Sequence, residues 1–141
     1  MYSKILVPLD GSAVDNAILE HIGELAKIHG SKVILTRVVE GWSTEYYGKE
    51  ALPKGVEEAQ AYLESVAERL RSKGIQVETV MEHGNPTEAI VKEAEERGCD
   101  LIAMSTHGHG FLMDLLYGSV SHEVRHTVDI PVLMIRGRTA A

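Results

Sequence analysis

The chain has a single cysteine, Cys99, so no internal disulfide can staple it. That usage fits a reducing compartment, and a cytoplasmic location is the expectation. Positive charge is scarce: 14 Lys and Arg face 21 Asp and Glu, for a net charge of -7. No basic stripe of the kind a nucleic-acid surface needs can come from that balance, so nucleic acid is not an expected partner. No apolar run approaches the roughly 20 residues of a membrane span, which argues against a membrane partner. The opening MYSKILVPLD lacks a basic segment followed by a long apolar stretch and a small-residue cleavage site, so no secretory leader is expected. Internal repeats, low-complexity tracts and composition shifts are also missing. One domain over residues 1–141 is the simplest division.

What is present is enough apolar material for a core: 44% of the 141 residues. Its patterning alternates. KILVPLD (4–10) is an apolar run closed by Asp10-Gly11-Ser12, as in a strand buried on both faces. Ser12 is placed to cap a helix in which Val14, Ala17, Ile18, Ile22, Leu25 and Ala26 share one stripe, ending at Gly30. KVILTRVVE (32–40) is β-branched and reads as a strand. Residues 41–55, GWSTEYYGKEALPKG, break periodicity and read as a long surface loop.

Val56, Ala59, Leu63, Val66, Ala67 and Leu70 form the next helical stripe. IQVETVME (75–82) alternates apolar and polar positions, which suits a half-solvated strand near the sheet edge. Asn85, Pro86 and Glu88 make a helix start. DLIAMS (100–105) is an apolar strand. A last helix is expected from near Ser119, and IPVLMIR (130–136) is a fifth strand with its proline at the beginning. Strands alternating with helices predict an α/β fold with a mostly parallel sheet and helices on both faces. Ligands of such sheets lie beyond the carboxyl ends of the strands. Here those ends are Leu9-Asp10-Gly11, Val38–Glu40, Glu82–Gly84 and Ser105–Gly110.

One of these ends carries a distinctive spacing. Ser105-Thr106-His107-Gly108-His109-Gly110 leaves a strand, and Gly118-Ser119 follows where the last helix is expected to open. Glycines after a strand and at a helix start let an anion approach backbone N–H groups. The same glycines also suit a turn that needs them for backbone reasons alone. No Gly-Lys-Ser/Thr follows, so this is not a Walker A loop. Asp10 is placed either to accept from ribose hydroxyls or to cap the first helix. His122 and His126 have the i, i+4 spacing of metal ligands, but no cysteine completes a zinc pattern. Cys99 reads as a partly buried, inert thiol. Ser119 has no Ser-His-Asp partner order, so no hydrolase triad is expected.

Taken together, KILVPLDGS, VILTRVVE, GNPTEAI, STHGHGFLMDLLYGSV and IPVLMIR resemble the universal stress protein family over nearly the whole chain. The ATP-binding branch of that family carries Gly-x2-Gly-x9-Gly-Ser/Thr. Gly108, the nine residues HGFLMDLLY, Gly118 and Ser119 match it, while Ser105 stands at the first glycine. The resemblance implies a five-stranded parallel sheet in the order 3-2-1-4-5, Rossmann-like and similar to the adenine nucleotide alpha hydrolases. It implies ATP across the strand ends, with adenine against Val38 and the backbone of Pro8, Leu9 and Met104, and ribose on Asp10. Ser105, at the first motif position, belongs to the implied nucleotide site; the phosphates would meet Gly108, His109, Gly110, Gly118, Ser119 and Val120, and would themselves hold Mg or Mn. It also implies a homodimer through Ile130–Arg136. The expected role is a nucleotide-dependent switch or binding module in the stress response, with at most slow ATP hydrolysis or autophosphorylation. A dimeric interaction protein that binds no ATP, and an AMP or cyclic-nucleotide binder, are the alternatives.

Overall fold

Strand residues 5–7, 33–35 and 101–104 are apolar without alternation because both sides of the sheet are covered. The computed structural model describes residues 1–39, 54–107 and 112–137. In chain order its elements are β1 (Lys4–Pro8), α1 (Asp15–His29), β2 (Lys32–Val39), α2 (Lys54–Arg71), β3 (Gln76–His83), α3 (Pro86–Glu96), β4 (Leu101–His107), α4 (Leu112–Thr127) and β5 (Val132–Gly137). The five strands are all parallel, in the order β3-β2-β1-β4-β5. The expected long loop at 41–55 lies mostly outside the described residues; α2 already begins at Lys54.

The two-residue period of a strand sorts the core into two layers. Ile5, Val7, Val33, Leu35, Val77, Leu101 and Ala103 pack against Ile18, Leu19, Ile22 and Ala26 of α1 and Leu63, Val66, Ala67 and Leu70 of α2. The intervening residues Leu6, Ile34, Ile102 and Met104 pack against Ile90 and Ala94 of α3 and Val124 of α4. β3 is an edge strand with a mixed burial pattern, as its alternating sequence predicts.

Several boundaries follow the residue chemistry. Asn85 caps α3 by accepting from Glu88 N at 3.1 Å, with Pro86 at the first helical position. Ser12 does not cap α1. The helix starts at Asp15 with Val14 as its N-cap and no side-chain cap, and the Ser12 hydroxyl instead donates to Asp10 Oδ2 at 2.7 Å. The larger correction concerns α4. It begins at Leu112, so Gly118 and Ser119 lie inside the helix and not at its start. Leu112, Met113, Leu115 and Leu116 are strong helix formers, and one interior glycine costs only about 1 kcal/mol.

Candidate functional site

Parallel pairing brings the carboxyl ends of β1, β2 and β4 side by side. Pro8 pairs with Thr36, and Leu9 N donates to Thr36 O at 2.8 Å. β1 also pairs with β4, through Ile5 with Leu101 and Leu6 with Ile102. Four of the residues singled out from the sequence therefore meet on one edge: Asp10 beyond β1, Val38 near the end of β2, and Met104 and Ser105 in β4. Val38 is half-buried and packs on the α3/α4 layer; Met104 is fully buried on the same side. Val120 is half-buried against that layer too. Pro8 and Leu9 are buried. Gly108, His109 and Gly110 lie outside the described residues.

Ser105 is fully buried, and its hydroxyl donates to Val14 O at 3.3 Å. Side chains in β4 alternate, so Ser105 faces α1 while Met104 faces α3 and α4. The hydroxyl is thus tied beneath the start of α1. Thr36, across the sheet, is fully buried and its Oγ1 has no hydrogen-bond partner among the described residues.

The turn after β1 is shaped by Asp15, the first residue of α1. Asp15 is fully buried, and its carboxylate accepts from Asp10 N at 2.8 Å, from Gly11 N at 2.7 Å and from Tyr62 Oη at 2.7 Å. Gly11 takes φ +86, which a residue without Cβ adopts freely. Burial pushes the Asp15 carboxyl above the usual carboxylate range, against the pull of those hydrogen bonds. Burial and the Asp15 carboxylate together push the Tyr62 phenol up. Tyr62 lies 47 positions from Asp15. No local pattern signals that contact, because it is made only when α2 docks on the sheet.

A second electrostatic cluster flanks the edge. Glu82 is in register with Val38, and it shares a hydrogen bond with Glu93 of α3. Burial, the Glu93 hydrogen bond and the Glu93 charge push Glu82 up to about 7. Glu93 is itself buried, yet hydrogen bonds with Glu82 and Arg97 hold it below its ordinary value. With Glu82 raised and Glu93 lowered, Glu82 is the member of the pair that takes up a proton as pH falls below about 7. Arg97 also bridges to Glu78, which bonds Lys32. Because the folded protein binds that proton more tightly than the unfolded chain, the stabilisation is complete below about pH 4.5 and is lost as pH rises through about 7. Thermal unfolding should show the midpoint falling across that window by about 3 °C more in the native chain than in Glu82→Gln, whose amide donates at every pH. Parallel profiles for the two proteins would refute that proton uptake.

On α4, the rings of His122 and His126 meet edge to face at 4.5 Å between centroids, and the Arg125 guanidinium lies 3.4 Å from a nitrogen of each. A cation so placed works against a bound metal ion. Among the described residues, no three His, Cys, Asp or Glu side chains cluster as metal ligands. Cys99 is buried, and burial raises its thiol to about 11, in keeping with an inert thiol.

The family model of the universal stress proteins matches residues 1–136. The chain belongs to the universal stress protein family. Its relatives include the universal stress protein MJ0577 of Methanocaldococcus jannaschii, 30% identical over 99% of this chain and 98% of the relative. Another is YxiE of Bacillus subtilis, 32% identical over 96% of this chain and 100% of the relative. The solved structure of MJ0577 superposes with a TM-score of 0.82 at 34% identity, covering 99% of both chains. A universal stress protein solved in complex with cAMP shares the fold, with a TM-score of 0.79 at 23% identity, over 97% of this chain and 99% of that one. The five-stranded order and its helical layers are therefore those of the family's Rossmann-like, adenine nucleotide alpha hydrolase-like fold. Among the described residues, no helix of this universal stress protein is long and apolar enough to cross a membrane.

Proposed function

We propose that this universal stress protein binds ATP across the carboxyl edge of its sheet and works as a nucleotide-dependent switch or binding module in the cytoplasm. The observation that carries the reading is the edge itself, where Asp10, Val38, Met104 and Ser105 converge from adjacent strands. The groups present fit an adenine nucleotide. Val38 offers an apolar seat, the backbone of Pro8, Leu9 and Met104 frames the adenine, Asp10 supplies an acceptor for ribose hydroxyls, and Thr36, on the Val38 side, has a hydroxyl with no partner among the described residues. The cAMP bound by a structural relative is an adenine nucleotide and supports the same class of ligand.

The phosphates would meet Gly108, His109 and Gly110 and the backbone near Gly118, Ser119 and Val120, next to Ser105. Mg or Mn would be held by the phosphates. Helical N–H groups past the first turn already bond to carbonyls. Contact through Gly118–Val120 therefore asks α4, which runs from Leu112, to begin at Gly118 in the bound state. A second copy would pair along β5, an edge strand with Met134 exposed.

Calorimetric titration with ATP, ADP, AMP and cAMP, with and without Mg, tests the reading. ATP should bind more tightly than AMP, and Gly118→Val should remove that difference by crowding the phosphate contact. Silence at millimolar ATP would end the proposal. Equal affinity for AMP and ATP would reduce it to an adenosine pocket.

A further inference from the structure

Arg37 is left over from both the core and the proposed adenine seat. It lies on β2 between Thr36 and Val38, and its side chain projects on the same side as Val33 and Leu35, toward α1 and α2. Its guanidinium reaches past the end of β1 and lies against Gly11. A Cβ built on Gly11 would sit 1.7 Å from Arg37 Nη1 and 2.9 Å from Cζ. Gly11 adjoins Asp10, the proposed ribose ligand, so the positive charge stands beside the position assigned to the ribose hydroxyls.

Among the described residues, that charge is uncommitted. Lys32, Arg71 and Arg97 each form an ion pair with a glutamate. Arg37 is half-buried, and among the described residues it makes no hydrogen bond or ion pair. Its charge does act on the Tyr62 phenol, as does that of Arg69. A planar guanidinium with five donors is built for bidentate contact with a phosphate or carboxylate. In a parallel α/β sheet, an arginine beside the ribose position is a recognised way to accept a phosphate on that sugar.

We infer that Arg37 is a specificity residue for an adenine nucleotide carrying a phosphate ester on one of its ribose hydroxyls. The inference rests on the adenine site proposed above. One hydroxyl stays free to donate to Asp10, and the phosphate on its neighbour meets the Arg37 guanidinium. Arg37 also offsets the repulsion between that phosphate and the Asp10 carboxylate.

The test is calorimetric titration with AMP, adenosine 2′,5′-bisphosphate and adenosine 3′,5′-bisphosphate against the native chain, Arg37→Ala and Arg37→Lys. One bisphosphate should bind the native chain about tenfold more tightly than AMP, and which one identifies the phosphorylated hydroxyl. Arg37→Ala should abolish that preference and leave AMP affinity unchanged. Arg37→Lys should keep part of it, as a point charge without the planar fork. Higher salt should shrink the preference in the native chain and in Arg37→Lys, while Arg37→Ala has none to lose. Equal affinity of the native chain for AMP and both bisphosphates overturns the inference and leaves the adenine site standing. Equal weakening of all three ligands by Arg37→Ala also overturns it, because the side chain would then only support the turn. Absence of binding by all three ligands removes the adenine site and the inference together.

Discussion

Asp15→Ala should lower the thermal midpoint by about 10 °C, a loss of about 3 kcal/mol. The carboxylate is fully buried and accepts three hydrogen bonds, from Asp10 N, Gly11 N and Tyr62 Oη. Truncation removes the acceptor and leaves two backbone donors and a phenol without it, so the desolvation cost of each is incurred unmatched. The position compounds the loss. Asp15 is the first residue of α1, where a negative charge meets the positive end of the helix dipole. Tyr62→Phe deletes only one of the three bonds and should cost about 1 kcal/mol. The comparison separates the turn from the α2 contact: if the two variants lose equally, the backbone bonds to Asp10 and Gly11 contribute nothing. Nucleotide titration adds a second readout, because Asp15 holds Asp10 in place without touching the ligand. Asp15→Ala measured below its lowered midpoint should bind adenine nucleotide more weakly, whereas Tyr62→Phe should bind nearly as the native chain does.

Gly137→Ala is the second large effect expected. Gly137 ends β5 and is buried against the start of α1. An added Cβ would stand 2.6 Å from Val14 Cβ, 2.8 Å from Val14 O and 3.1 Å from Val14 Cα. Two of those atoms are backbone, and Val14 is itself 2% exposed, so it has little room to retreat. Val14 O also takes the Ser105 hydroxyl, so displacing it disturbs a junction of β4, β5 and α1. Overpacking of this kind costs about 1–3 kcal/mol, or roughly 5 °C in midpoint. Gly55→Ala is the control. It lies in α2 with nothing within 4 Å of the added Cβ, so it should leave stability unchanged or raise it. A Gly137→Ala protein that unfolds with the native midpoint would show that α1 and β5 are not held in this contact.

The junction at Val14 also explains how serine is accommodated where the family's nucleotide pattern has its first glycine. In β4 the side chain at 105 turns toward α1, and its hydroxyl finds the Val14 carbonyl. The sequence shows the departure from glycine, but not the direction in which the side chain points. That direction depends on the register of β4 between β1 and β5, and register is a property of paired strands.

The strands and helices were legible because their signals are local. Continuous apolar runs marked strands covered on both faces, 3.6-residue stripes marked α1 and α2, and Asn85-Pro86 marked the start of α3. The edge position of β3 showed in its alternation. The start of α4 was misjudged because Gly118-Ser119 looks like a helix opening, while the leucines before it propagate helix through the glycine. Ser12 was misjudged as a cap because its nearest acceptor is Asp10, a neighbour that the turn folds back toward it.

By itself, the sequence determined the alternating α/β plan, the family, and the strand ends at which a ligand of such a sheet belongs. Those follow from periodicity and from a motif of fixed spacing. Tertiary structure alone decided that Asp15 fastens the β1 turn, that Tyr62 joins it from α2, that Glu82 is set against Glu93, and that Arg37 leans on Gly11 beside Asp10. Each of these joins residues from different elements, or across a turn, and their spacing in the chain carries no periodic signal. They exist because packing the helices on the sheet buries polar groups, and a buried polar group is stable only beside a partner.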